Sequence, residues 1–446
     1  MAACNGNHNH NSGESDGSDP ALDAGIPPDA AIPLPTLEKW TFYGTAQGGP
    51  QRPYGVTADQ GGNIWVAGGE EGLFLLRSGS STFQRFTMDD GLHPYGYPRL
   101  DQGTITRTYL NAISVAGGPA GTVFVGYMGM PTHAGEYGCE DNWDGPDPDP
   151  NIYKSGDADK VVLTGSSITV VHYDISTGAN IVQDEMRGRE KLCDVYRIVY
   201  DASSRSLWFG ANHGYAWGEP DYQGDPNCFG QFHCAGLYEH AHPLLNGYAT
   251  ESATDEVALT NYYWGLTVEP SGNLWVGGMF RSQYCPSGMH GLGFFDCDSQ
   301  GSLPKNQIDW WPDQVHTDSR PSQRVDDNVS GMSLSSDGSL WIGSFNRGLA
   351  RRDANGSVTF FNSGLVDPQH VTAVRVDPSD GSVWVGAATG GMTRIKGGQL
   401  IPYDARLFGG SLVSGSVPDI QVDSSGGTRR ILVAFSGGAI GVYEGD

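Results

Sequence analysis

Long apolar runs are missing: no stretch of about 18 or more consecutive apolar residues occurs in the 446, which excludes a membrane-spanning helix. Positive charge is scarce as well. With 26 Lys and Arg against 51 Asp and Glu, the formal net charge is -25, and without basic patches to neutralise phosphates the chain is a poor partner for nucleic acid or anionic membrane surfaces. None of the seven cysteines forms a Cys-x-x-Cys pair, so a zinc ribbon or thioredoxin-like redox site has no support. What is present is 20 Tyr, 16 Phe and 11 Trp, enough apolar area for a large core, and 65 Gly with 26 Pro, the composition of a turn-rich globular chain.

The first 35 residues contain no Lys, Arg or aromatic residue and run through Asn-His-Asn-His-Asn into Ser, Gly, Asp, Ala and Pro. Such a segment buries too little surface to offset its ordering entropy, so residues 1–37 read as a flexible tether on which His8 and His10 are incidental. Ala2-Ala3-Cys4 resembles the end of a bacterial lipoprotein signal, which implies a lipid on Cys4, no other membrane attachment, and residence at the cell surface or in the periplasm. Setting Cys4 aside leaves Cys139, Cys193, Cys228, Cys234, Cys285 and Cys297. An even number in an oxidising compartment permits three disulfides; the simplest local pairs are Cys228–Cys234 and Cys285–Cys297, leaving Cys139 for Cys193.

Self-similarity sets the expected fold. Gly62-Asn63-Ile64-Trp65-Val66-Ala67-Gly68 recurs as Gly272-Asn273-Leu274-Trp275-Val276-Gly277, as Gly338-Ser339-Leu340-Trp341-Ile342-Gly343 and as Gly381-Ser382-Val383-Trp384-Val385-Gly386. Looser copies run through Phe124, Trp208 and Leu432, making seven. Each copy supplies four short alternating strands that cannot bury both faces of a sheet alone, so the copies must stack into a ring. The expectation is an all-β, seven-bladed propeller over residues 38–446, with insertions in blades two to four. Trp40 to Tyr43 should form an outer strand that completes the last blade and removes an exposed edge. An eighth blade hidden in 128–195 is the competing count, but Val161 to Leu163 and Ile168 to Val171 fit the third and fourth strands of blade two. The repeats resemble the two-component-regulator type of propeller repeat found in bacterial sensor ectodomains, and the fold resembles that of streptogramin-lyase-type propellers, from which no catalytic residue carries over. The Trp at the shared position is expected to be core rather than a ligand platform.

The last intervals between second-strand positions, 43 and 48 residues, show the bare period, and earlier copies are longer. The repeat assigns 128–160, 212–235 and 279–290 to links between second and third strands, and 88–110, 174–195, 239–262 and 312–328 to links between blades. All would emerge on one face, the place where ordered loops on a rigid scaffold carry function. Positions that open a first strand or close a second strand there include Tyr54, Asn111, Tyr127, Arg197, Asn212, Trp264, Met279, Arg281, Asn328, Phe345, Asn346 and Arg347. Aromatic platforms beside Arg and Asn suit a sugar ring bearing carboxylate or sulfate. His213, Tyr263 and His370 join the same ring and, with Arg197, supply the groups of a proton-transfer site for a polysaccharide lyase or hydrolase. Asp141, Asp144, Asp147 and Asp149, in a Gly/Pro-bent loop, offer hard oxygen ligands for Ca²⁺. The leading expectation is a noncatalytic module binding a glycan or envelope protein, with no organic cofactor; the enzyme is the alternative.

Overall fold

The computed structural model describes residues 35–94, 110–129, 156, 158–173, 194–211, 214–218, 220–223, 263–270, 274–278, 282–285, 329–361, 363–425 and 427–445. Among these residues the chain forms seven antiparallel sheets, five of four strands and two of three. Each of the seven repeat copies is the second strand of one sheet: Ile64–Ala67, Thr122–Tyr127, Ser206–Ala211, Leu274–Gly277, Leu340–Ser344, Val383–Ala387 and Arg430–Phe435. The first strands, Gly55–Ala58, Ala112–Gly117, Val195–Asp201, Gly265–Val268, Val329–Leu334, Val371–Val376 and Asp419–Asp423, pack in order against one another, and the seventh packs against the first. The sheets therefore close into a ring with these leading strands innermost.

Two glycine positions explain why the phrase repeats. Gly62, Gly338 and Gly381 sit in the turn between first and second strands at φ 78°, 80° and 70°, a left-handed conformation that a Cβ disfavours. Gly126, Gly210, Gly343 and Gly386, late in the second strand, lie under the next leading strand; a Cβ on Gly386 would stand 2.8 Å from the Val417 carbonyl oxygen. Trp65, Trp208, Trp275, Trp341 and Trp384 are all buried in second strands, as a core role requires. Neighbouring leading strands are tied at their starts: Ser114 Oγ donates to the Val195 carbonyl at 2.6 Å, and Thr372 Oγ1 to the carbonyl of Val417, just before the seventh leading strand, at 2.6 Å.

Trp40–Gly44 pairs antiparallel with Ala439–Tyr443, so the N-terminal strand is the outer strand of the last sheet. Its Trp40 ring packs against Tyr443, Phe408 and Tyr403 with centroids 5.0, 5.1 and 5.8 Å away. Ala158–Thr164 and Ser167–Tyr173 are the third and fourth strands of the second sheet, where the repeat put them.

The insertions correct one expectation. In the second sheet the extra residues do separate second from third strand, and 174–194 do link sheets. In the third sheet, however, Ala211 pairs with Gly214, leaving only two residues between second and third strands where 212–235 was expected as an insertion. In the fourth, Gly277 pairs with Ser282, so only four residues separate second from third strand, and the strand Ser282–Cys285 lies inside the span 279–290 expected as an insertion. The added length of both sheets follows their third strands. Intervals between repeat phrases report how much chain is inserted, but the hairpin turn decides in which link it lies.

Candidate binding face

Leading strands begin and second strands end on the same face; of the expected ring positions, Tyr54, Asn111, Tyr127, Arg197, Tyr263, Trp264, Phe345, Asn346, Arg347 and His370 are described and lie at or beside those strand ends. Arg197 reaches across the ring: its Nη1 donates to Asp419 Oδ1 at 3.0 Å, from the third sheet to the seventh, and its Nε to the Trp264 carbonyl at 3.0 Å. Asp419 Oδ2 also accepts the Val56 N–H at 3.1 Å. Arg375 of the sixth sheet donates to the Ile420 carbonyl at 3.0 Å, and burial lowers its guanidinium to about 10, with Asp419 opposing and Arg197 adding to the shift. This charge cluster joins four sheets, the first, third, sixth and seventh, at the axis. Arg197 is thus matched inside the protein, and an incoming oxyanion would have to displace Asp419.

Beside Arg197, through the neighbouring Tyr196 and the Trp264 carbonyl that Arg197 bonds, lies an aromatic group. The rings of Tyr196 and Trp264 lie 4.5 Å apart at 32°, and Trp264 meets Phe345 edge-on at 5.0 Å. All three are half-buried. Tyr196 was not singled out by the repeat; a bulge between Val195 and Arg197 shifts the register there, and bulges re-aim side chains in a way residue order does not reveal. Its hydroxyl donates to Asp194, whose other oxygen accepts the Gly129 N–H at 2.6 Å.

Other predicted residues are dispersed. Tyr54 packs over Gly69 with the Arg52 guanidinium 5.4 Å from its ring centre, and Asn111 is buried beside it. Asn346 and Arg347 follow the fifth sheet's second strand, where both N–H groups donate to Ser344 Oγ. His370 is exposed on the link from the fifth sheet to the sixth and held by Asp367 at 3.1 Å. Tyr263 is fully buried, which places its ring in the core rather than on the solvent wall expected of a proton-transfer group. Asn212, His213, Met279, Arg281, Asn328, the four calcium candidates Asp141, Asp144, Asp147 and Asp149, Cys4, Cys139, Cys193, Cys228, Cys234 and Cys297 lie outside the described residues. Cys285 ends a third strand.

The same face carries a buried polar cluster that sequence reasoning missed apart from Tyr127. Asp159 and His172 are directly opposed in the third and fourth strands of the second sheet. Asp159 Oδ1 meets His172 Nδ1 at 2.9 Å, while Oδ2 accepts from Tyr127 Oη at 2.5 Å and from the His93 N–H at 2.7 Å. Burial raises Asp159 against the opposing pull of His172 and Tyr127, and burial followed by the Asp159 charge holds the Tyr127 hydroxyl well above its ordinary value. The signal that sequence did offer was an Asp and a His beside the Val-rich runs of two adjacent strands, with no spacing to join them to His93.

No family model matches the chain, and no curated protein matches it either. Solved structures do. The chain is similar to the extracellular domain of a hybrid two component system from B. thetaiotaomicron, with TM-score 0.51 at 14% identity, covering 91% of this chain and 41% of that one. It thus spans about two fifths of that relative's length. It is similar to virginiamycin B lyase from Staphylococcus aureus, with TM-score 0.51 at 12% identity over 92% and 99% of the two chains. A third likeness, TM-score 0.50 at 11% identity over 93% and 100%, is to YCF48 bound to D1 peptide. At these identities the likeness is one of fold, and the fold is a β-propeller-like ring of antiparallel sheets.

Proposed function

We propose that the chain is a seven-bladed propeller, exported to the bacterial cell surface or periplasm and tethered by a lipid on Cys4, that binds a glycan or envelope protein through the face where its leading strands begin. The observation that supports this reading is the half-buried Tyr196, Trp264 and Phe345 group beside Arg197, which is itself paired with Asp419. Flat rings that present their faces near solvent stack on the C–H faces of sugars or on apolar side chains. Because Arg197 is already matched and the net charge is -25, the glycan that fits is neutral rather than the carboxylated or sulfated one expected from residue types alone. The acidic stretch from Asp141 to Asp149 as a Ca²⁺ site and the three disulfides remain part of the proposal.

The test is binding of the full chain to neutral and acidic polysaccharides, with Ca²⁺ and with chelator, while new double bonds and reducing ends are followed. Trp264→Ala is expected to weaken neutral-glycan or peptide binding about tenfold at unchanged Tm. Binding indifferent to Trp264→Ala and Phe345→Ala overturns the reading. Product formation abolished by His213→Ala would replace it with a polysaccharide lyase or hydrolase.

A further inference from the structure

Among the described residues, His93, Asp159 and His172 are the one group of three His, Cys, Asp or Glu side chains whose ligand atoms lie within 4.8 Å of one another. Each arrives from a different segment. Asp159 and His172 are a cross-strand pair of the second sheet, and His93 follows the last strand of the first sheet, its main chain pinned to Asp159. The two imidazole rings meet with centroids 4.4 Å apart at 64°.

We propose that these three side chains bind a divalent transition metal of the Zn²⁺ class. Two imidazoles and one carboxylate are a borderline donor set, suited to Zn²⁺ and its neighbours rather than to Ca²⁺ or Mg²⁺, which take oxygen ligands alone. At metal–ligand distances of about 2.0–2.1 Å, ligand atoms on a tetrahedral ion stand about 3.3 Å apart. His172 Nδ1 and Asp159 Oδ1, at 2.9 Å, need only a small separation to admit the ion in place of the proton between them, which moves to His172 Nε2. His93, the half-buried member of the three, brings its ligand atom within 4.8 Å of the other two, so a modest side-chain adjustment completes the set.

The rest of the cluster supports that geometry. Tyr127 Oη and the His93 N–H both occupy Asp159 Oδ2, which fixes the carboxylate and leaves Oδ1 as the oxygen facing His172. Such outer hydrogen bonds orient metal ligands in known sites. Three protein ligands leave a fourth position for water or an anionic partner, the open arrangement of a working site rather than the closed one of a structural ion. Because the site lies on the face proposed for binding but shares no residue with the aromatic group, it stands or falls apart from that reading.

The experiment uses the tag-free full chain, stripped with chelator, with Zn²⁺ titrated by calorimetry and Co²⁺ by visible absorption. One ion per chain, tetrahedral Co²⁺ bands and a metal-dependent rise in Tm are expected. His93→Gln, checked for an unchanged metal-free Tm, should weaken binding at least about 100-fold, and His172→Gln likewise. Replacing His8 and His10 together should leave the affinity unchanged. Failure to take up an ion, uptake that survives His93→Gln, or uptake lost with His8 and His10 would each overturn the proposal.

Discussion

Asp59 does the work of several residues at one turn. Its carboxylate accepts the N–H of Gly61 at 2.7 Å, the Asn63 amide at 2.9 Å, the Trp65 indole N–H at 2.9 Å and, from the second sheet, the Gly121 N–H at 3.1 Å. The acceptor six residues before the tryptophan recurs: Glu269 serves Trp275 at 2.9 Å and Ser335 serves Trp341 at 3.1 Å. For Trp384 that position is Pro378, which has no acceptor side chain; a guanidinium lies over the ring there as over two of the others, Arg394 at 4.9 Å on Trp384, Arg352 at 5.4 Å on Trp275 and Arg351 at 5.6 Å on Trp341. Asp59→Ala strands several buried donors at once and is expected to cost roughly 2–4 kcal/mol in urea unfolding, with Asp59→Asn milder. Asp380 carries the pH dependence of the same turn in the sixth sheet. Burial opposes its ionisation, but the Ser382 hydroxyl and N–H, then Lys396 at 3.0 Å and Arg394 at 2.7 Å, outweigh burial and hold its carboxyl far below the ordinary value of 3.8. A depressed carboxylate stabilises the fold fully above its unfolded value and loses that contribution as pH falls below it. Asp380→Asn should therefore lower Tm at pH 7, with the gap to the parent narrowing as the solution is acidified below pH 3.8. A gap independent of pH would refute the assignment.

At the scale of the element, the two repeated glycines fail in different ways. Gly386→Ala sets a methyl against the Val417 carbonyl, which also receives the Thr372 hydroxyl, so the sixth and seventh sheets must part or their strands shift. A loss of about 1–3 kcal/mol is expected. Gly381→Ala meets no atom within 4 Å and suffers only from φ 70°, so its loss of about 1–2 kcal/mol should be matched by Gly381→Ser but relieved in Gly381→Asn, which tolerates that conformation. Thermal scans of the four variants separate steric from conformational cost. Both glycines were visible in the sequence as part of a phrase; that one of them lies beneath a neighbouring strand was not, because the neighbour comes from the next copy.

The whole ring depends on one strand that is far from its partner in sequence. Trp40–Gly44 covers the edge of Ala439–Tyr443, and Trp40 fills a pocket of Tyr403, Phe408 and Tyr443. Removal of residues 1–33 is expected to leave Tm unchanged. Removal through Gly44 uncovers backbone N–H and C=O groups of the last sheet along with that pocket, so a lower Tm and concentration-dependent association on size-exclusion chromatography are expected. A monomer with the parent Tm would mean that the ring closes without its outer strand. At this scale the Arg197 and Asp419 pair acts as an axial tie, 222 residues apart in the chain and 3.0 Å apart in space.

Sequence alone determined the first two strands of each sheet, the burial of five tryptophans and the closing strand, because each rests on turn chemistry and alternation contained within a single repeat or on the need to cover one edge. It placed Tyr54, Arg197, Trp264 and Phe345 on one face for the same reason. Only the tertiary structure decided that Arg197 is neutralised by Asp419, that a bulge brings Tyr196 to Trp264, that the third and fourth sheets turn tightly before their insertions, and that His93 meets Asp159 and His172. Those outcomes depend on how one sheet leans on another around the ring, and packing between distant strands leaves no period in the order of residues.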